Sequence, residues 1–199
     1  MEWIVTGIAL VSVVLIALLA SRPQLTRGHA GKAIAFVAMF VLPSLVTAVG
    51  VQVHLERAKS TEFCLSCHEM EPYGESLHVA DPTWVAANHF LSNRVARDQA
   101  CYTCHTQYTM FGDVNAKLAG LKHLWIHYTG DIPETIELYQ PYNNRECLHC
   151  HGAARNYLEN EFHDGMIAEM ASGEVSCLDC HGPVHDVESV DDMEIWEAP

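Results

Sequence analysis

The chain has 199 residues, with 25 Asp and Glu against 11 Lys and Arg, 13 His and 8 Cys, and a formal net charge of -14. A balance this acidic argues against nucleic acid, whose phosphates need cations, and favours a partner with a basic docking face. The length predicts one compact domain plus whatever lies in a membrane.

Two uncharged runs open the chain. Trp3 to Ala20 carries no charged residue. At ~1.5 Å per residue it spans roughly 27 Å, close to the ~30 Å hydrocarbon core of a bilayer. Ala33 to Val53 is a second, longer run containing Pro43, which a membrane helix tolerates better than a soluble one. A cleaved signal peptide is the competing reading of the first run, but Met1-Glu2 supplies no basic n-region. Between the runs, residues 21–32 hold Arg22, Arg27 and Lys32 and no acid, which the positive-inside rule places in the cytoplasm. The expectation is a membrane anchor over residues 1–55, with transmembrane helices at 3–20 and 33–53 and both ends on the outer side.

Residues 56–185 contain all eight cysteines, as four Cys-x-x-Cys-His pentads: Cys64, Cys67 and His68; Cys101, Cys104 and His105; Cys147, Cys150 and His151; Cys177, Cys180 and His181. This spacing is that of c-type haem attachment, with two thiols for the haem vinyl groups and an adjacent imidazole for the iron. Two Cys-x-x-Cys pairs could instead close a zinc ribbon, but zinc does not require the following histidine. At a frequency of 13 in 199, finding it four times by chance has a probability of roughly two in a hundred thousand. No cysteine remains for a disulfide framework. The reading is four covalently bound haems, whose porphyrins supply much of the buried apolar surface. The class follows as mainly α with much irregular structure: two transmembrane helices, then a haem-packed tetrahaem domain. Because haem is attached outside the bacterial inner membrane, that domain is expected in the periplasm.

The clearest helix of this domain is predicted over residues 113–128, capped by Asp113, with Leu118, Leu121, Trp125 and Tyr128 recurring on one face and Gly130 and Pro133 ending it. With Met110 and Phe111, this stripe is either core or a helix on a membrane surface. Each pentad is expected near the start of a helical turn. Residues 186–199 form an acidic tail with no basic residue, a composition usually disordered. Its Met193, Ile195 and Trp196 leave open a peptide that orders on a partner. His29 falls on the cytoplasmic side, and His149, between two cysteines, is expected to point to solvent.

From about Ala33 to His185 the chain resembles the membrane-anchored tetrahaem quinol dehydrogenases of the NapC/NirT and NrfH family. Three motifs carry the likeness: Cys64-Leu65-Ser66-Cys67-His68-Glu69-Met70, the stretch from His89 through Arg94 and Arg97 into Cys101, and Cys177-Leu178-Asp179-Cys180-His181 followed by His185. The resemblance implies Met70 as a ligand of the first iron, leaving open whether His68 also reaches it. It implies distal histidines as well: His89 for the fourth haem, His185 for the second and His163 for the third, with His78 a weaker candidate. The chain departs from the family in having two apolar runs where one anchoring helix is usual. It also has a histidine, His123, where the family has an acid downstream of a basic residue, here Lys117. The resemblance makes Lys117 and His123 the candidate quinol site, with His123 either taking the quinol proton, which its ordinary pKa of ~6.5 suits, or binding the first iron. His127, one turn on, is a second candidate ligand.

The function implied is quinol oxidation at the periplasmic face of the bacterial inner membrane. Electrons would then pass through four haems to a periplasmic partner oxidoreductase or cytochrome. Two other readings remain: an electron-transfer subunit of a larger respiratory complex without its own quinol site, and a small-molecule reductase at an open haem.

Overall fold

The computed structural model describes residues 2–130, 132–133, 135–136 and 138–197. They fall into two units, Met1–Ala58 and Lys59–Pro199.

The first unit is a helical hairpin. Helix α1 (Glu2–Ser21) is followed by a short 3-10 turn at Pro23–Thr26, and α2 (His29–Phe36) then runs through a π-helical turn at Val37–Val41 into α3 (Leu42–Arg57). The π turn lies just before Pro43. Proline lacks the N–H that would continue the α ladder and crowds the preceding turn, so the widened turn is the local accommodation. The two arms pack on each other. At their crossing Ser12 is buried and its hydroxyl donates to the Ala38 carbonyl at 3.1 Å. Many of the other apolar side chains, among them Leu10, Val14, Phe36 and Phe40, point outward. Both arms, Trp3–Ser21 and His29–Arg57, are long and apolar enough to cross a membrane. The second is longer than the 33–53 expected, because helix continues through Lys32, His54 and Arg57.

The second unit is built of short helices: α4 (Thr61–Cys64), α5 (Glu71–Glu75), α6 (Val85–Leu91), α7 (Ala100–His105), α8 (Gly112–Thr129), α9 (Asn144–His151), α10 (Arg155–Leu158) and α11 (Ile167–Ser172). Among the described residues there is no strand, and only an isolated antiparallel bridge, Val79 to Ile195, occurs. The protein's own core is small. One cluster joins Val79, Trp84, Ala87 and Val190, with Met193 against it; another joins Leu77, Phe90 and Ala100.

Three expectations change here. The tail does not behave as its acidity suggests: Val190 is buried, the Ala80 N–H donates to Glu194, and the Trp196 N–H donates to the His78 carbonyl at 2.7 Å. Its apolar residues outweigh its acids because the acids can stay solvated while Val190 and Met193 enter the core. Ala198 and Pro199 lie outside the described residues. Asp113 does not cap α8, whose cap residue is Phe111. Its carboxylate is taken instead by Lys59 Nζ at 3.2 Å and the Tyr102 hydroxyl at 2.7 Å. Finally, the third pentad ends α9 rather than starting it, whereas the second begins at the second residue of α7 as expected.

Candidate functional site

A Cys-x-x-Cys-His pentad wound as one helical turn sets its two thiols three residues apart and its histidine one turn on, all on one side of the helix. Helices α7 and α9 do this for the second and third pentads. The fourth forms a 3-10 turn, Cys177–Asp179, held by a reciprocal cap between Ser176 and Asp179. In the first, Cys64 ends α4, and His68–Met70 is a 3-10 turn leading into α5.

The pentads are neighbours in order. The Cys64 and Cys101 thiols lie close enough to act on each other, which lifts the first and lowers the second to about 7. Cys147, lifted first by burial, likewise feels the nearby Cys177 thiol. Between these pairs, the Tyr142 hydroxyl donates to the Cys104 carbonyl at 2.6 Å, and the Tyr108 N–H donates to Glu146 at 2.9 Å. Tyr108 also stacks on His149, ring centres 3.8 Å apart. His149 is exposed but occupied.

Three pentad histidines face a second imidazole from elsewhere in the chain. His105 and His185 are 6.3 Å apart, His163 and His181 6.1 Å, and His89 and His151 5.8 Å, measured between ring centres. An imidazole nitrogen sits about 2 Å from a bound metal and about 1 Å from its own ring centre, so two rings bracketing one iron stand roughly 6 Å apart. All three separations match. The hydrogen bonds of the incoming rings agree with this. His89 Nδ1 meets the Val85 carbonyl at 2.7 Å, and His163 Nδ1 meets the Tyr157 carbonyl at 2.9 Å. A carbonyl only accepts, so Nδ1 carries the proton and Nε2 keeps the lone pair a metal needs. His185 Nδ1 lies 2.6 Å from the Ser76 hydroxyl, whose own proton goes to the Tyr73 carbonyl at 2.7 Å. The same tautomer follows. Burial pushes His185 down to about 4, with nearby His105 adding to the effect, and desolvation also lowers His105 and His151. These rings are therefore neutral at pH 7, the form that ligates. The residues fit haem iron.

Two of the expected pairings are exchanged. His89 stands against His151 of the third pentad, not the fourth, and His163 against His181 of the fourth, not the third. The reason is tertiary. Helix α6 is pinned by the Val85 N–H to the Pro183 carbonyl at 3.0 Å and by Phe90 in the core, which carries His89 to the end of α9. His78 turns its ring edge-on to Phe90, centres 5.1 Å apart.

The first pentad is built differently. The His68 side chain is 82% exposed and its Nδ1 turns to Glu69 at 3.3 Å, while His127 Nδ1 meets the other oxygen of Glu69 at 2.8 Å. A backbone hydrogen bond at Glu69 itself, and then these two histidines, hold that carboxyl below its usual range. Lys117 acts electrostatically on Cys64 and stands 4.7 Å over the Tyr102 ring. His123 Nδ1 lies 2.9 Å from the Tyr139 hydroxyl, and the ring is close enough to His105 to disfavour protonation there. Lys117 and His123 thus straddle the first pair of pentads. Sequence reasoning missed Glu69, Tyr102 and Tyr139. Only the position of Glu69, between the pentad histidine and Met70, could have signalled a part in this site.

The family model described as "NapC/NirT cytochrome c family, N-terminal region" matches residues 28–190. The cytochrome c-type protein NapC of Haemophilus influenzae is 23% identical over 176 residues, covering 79% of this chain and 83% of its own. NapC of Escherichia coli is 25% identical over 169 residues, 73% of this chain and 78% of its own. NapC of Paracoccus pantotrophus is 29% identical over 171 residues, 75% and 68%. No solved structure matches the chain. With pentads, facing imidazoles and two apolar helices in one chain, the match over residues 28–190 places this protein in the NapC/NirT cytochrome c family, as a membrane-anchored c-type cytochrome of electron transfer.

Proposed function

We propose that the protein oxidises quinol at the periplasmic face of the bacterial inner membrane and passes the electrons along four haems to a periplasmic redox partner. In this reading both apolar arms cross the membrane, residues 22–28 are cytoplasmic, and the second unit is periplasmic. Cys64, Cys67, Cys101, Cys104, Cys147, Cys150, Cys177 and Cys180 would hold the haems. His105 with His185, His151 with His89 and His181 with His163 would hold three irons, and Met70 the first. The observation that carries the reading is the asymmetry of the first pentad. Around it stand Lys117, Glu69, His127 and, towards the second pentad, His123: donors and acceptors suited to a quinol, where the other pentads have a facing imidazole.

Bound haem supplies a one-electron carrier at each pentad. Converting a quinol to its quinone releases two electrons and two protons, so the chain must hold the quinol oxygen and take a proton. Lys117 Nζ donates a hydrogen bond to that oxygen. His123 is lowered by desolvation and then by neighbouring Lys122, so it is neutral at pH 7. A proton taken at Nε2 leaves Nδ1–H donating to the Tyr139 hydroxyl, and the second proton goes to water.

The test is quinol-dependent haem reduction by the purified protein in liposomes. The wild type should be reduced by quinol, and Lys117→Ala should be slowed by about tenfold to a hundredfold with its visible spectrum unchanged. A protein reduced by dithionite but inert to quinol would return it to the status of a tethered carrier in a larger complex. Activity in the periplasm of a reporter fused after Gly31 would overturn the topology.

A further inference from the structure

We infer that helix α8 is itself a membrane contact, lying in the interface of the outer leaflet with its apolar face in lipid. The helix presents Val114, Leu118, Leu121, Trp125 and Tyr128 within about 80° of arc at ~100° per residue. All five are exposed, Trp125 by 70%, and Met110, just before the helix, by 89%. The stripe therefore belongs to no core of this unit. His123, His127 and Gly120 lie on the opposite side, where Glu69 and Tyr139 meet the two histidines.

Three observations choose lipid over a protein partner. Lys117 and Lys122 lie one on each flank of the stripe, in a chain whose net charge is -14. Their stems cover the edges of the apolar face while their ammonium groups stand over the Tyr102 and Tyr139 rings, and Trp125 and Tyr128 within the stripe are the side chains enriched where an apolar surface meets the headgroup level. The start of the helix is also tethered to the chain's emergence from the apolar arm. Asp113 is 3.2 Å from Lys59 Nζ, and Lys59 is two residues past Arg57, the last of the span, so about 7 Å of chain at most separates them. This contact stands whether or not quinol is the electron donor.

The experiment uses the full haem-loaded chain in vesicles of phosphatidylethanolamine and phosphatidylglycerol. A phospholipid with a photoactivatable group on its acyl chain is included, and adducts are mapped by mass spectrometry. Phe162 is the internal comparison, being 83% exposed but outside any stripe. Adducts on residues 110–128 should exceed those on the peptide holding Phe162 by at least tenfold. Replacing Leu121 and Trp125 together with Glu should abolish that excess while leaving the haem spectrum and the adducts on residues 3–57 intact. Equal labelling of the two peptides, or adducts confined to residues 3–57, would overturn the inference. So would a Lys122-to-Lys122 crosslink between two chains, which would give the face to a second copy.

Discussion

The first pentad and the other three share five residues of motif and little else. At the second, third and fourth, the pentad histidine meets an imidazole from a distant segment at about the spacing two iron ligands require. That imidazole is aimed by a carbonyl or hydroxyl on its Nδ1. At the first, the pentad histidine is turned to a carboxylate that a second histidine, His127, also meets. Identical attachment chemistry can therefore serve two tasks, and the residues that decide between them lie outside the motif. Under the proposed function, three sites would be closed to carry electrons and one furnished to receive them.

Removing a ligand should give the largest effect. His185→Ala, His89→Ala and His163→Ala should each convert one low-spin haem to high spin, read by visible and electron paramagnetic resonance spectra. Met70→Ala should alter the first haem, whereas His68→Ala should leave its spectrum unchanged. A shift in the His68 variant as large as in the His185 variant would erase the contrast between the pentads.

A smaller effect is expected from the proton acceptor. His123→Ala should slow quinol oxidation by about a hundredfold without a new high-spin signal; such a signal would make His123 an iron ligand. The pH profile sharpens the point. Desolvation holds His123 below 6.5, so its basic form persists as pH falls through 6.5, and the rate should drop only below the lowered value. The variant should lose that acid limb. A wild-type rate already falling above pH 6.5 would assign the proton elsewhere.

The smallest effect concerns Asp113, held below 3.8 by the Tyr102 hydroxyl and then by Lys59. A depressed carboxyl stabilises the fold above its unfolded value and loses that contribution as pH falls through the folded one. Its side chain is largely exposed, so Asp113→Asn should cost no more than about 0.5 kcal/mol at neutral pH. Denaturation of the holoprotein would measure this, and a loss several times larger would show that the Lys59 tether holds more than the start of α8.

Features written in contiguous residues were legible in the sequence. The apolar runs, α8 and the four pentads depend on local spacing, and each appears within a few residues of where it was expected. Partnerships across the chain were less so. His89 and His163 are both histidines upstream of pentads, and nothing in their spacing says which pentad each meets. That is decided by the Val85 bond to Pro183 and by the packing of Phe90. Asp113 has the chemistry of a helix cap, but tertiary partners claim its carboxylate. In the tail, Val190 and Met193 among many acids decide the outcome, which composition averages away.

The chain end is a shared brace. Val190 and Met193 pack with Val79, Trp84 and Ala87 in one cluster, and residues 194–196 bond back to residues 78–80. Ser76, which aims His185, lies just before that segment, and α6, which carries His89, lies just after it. Two of the three facing imidazoles thus hang from one joint. Strain arriving there, from a partner pulling on the tail or from a cut within it, would reach the second and third pentads together, so these two would retune as a pair while the first and fourth kept their settings.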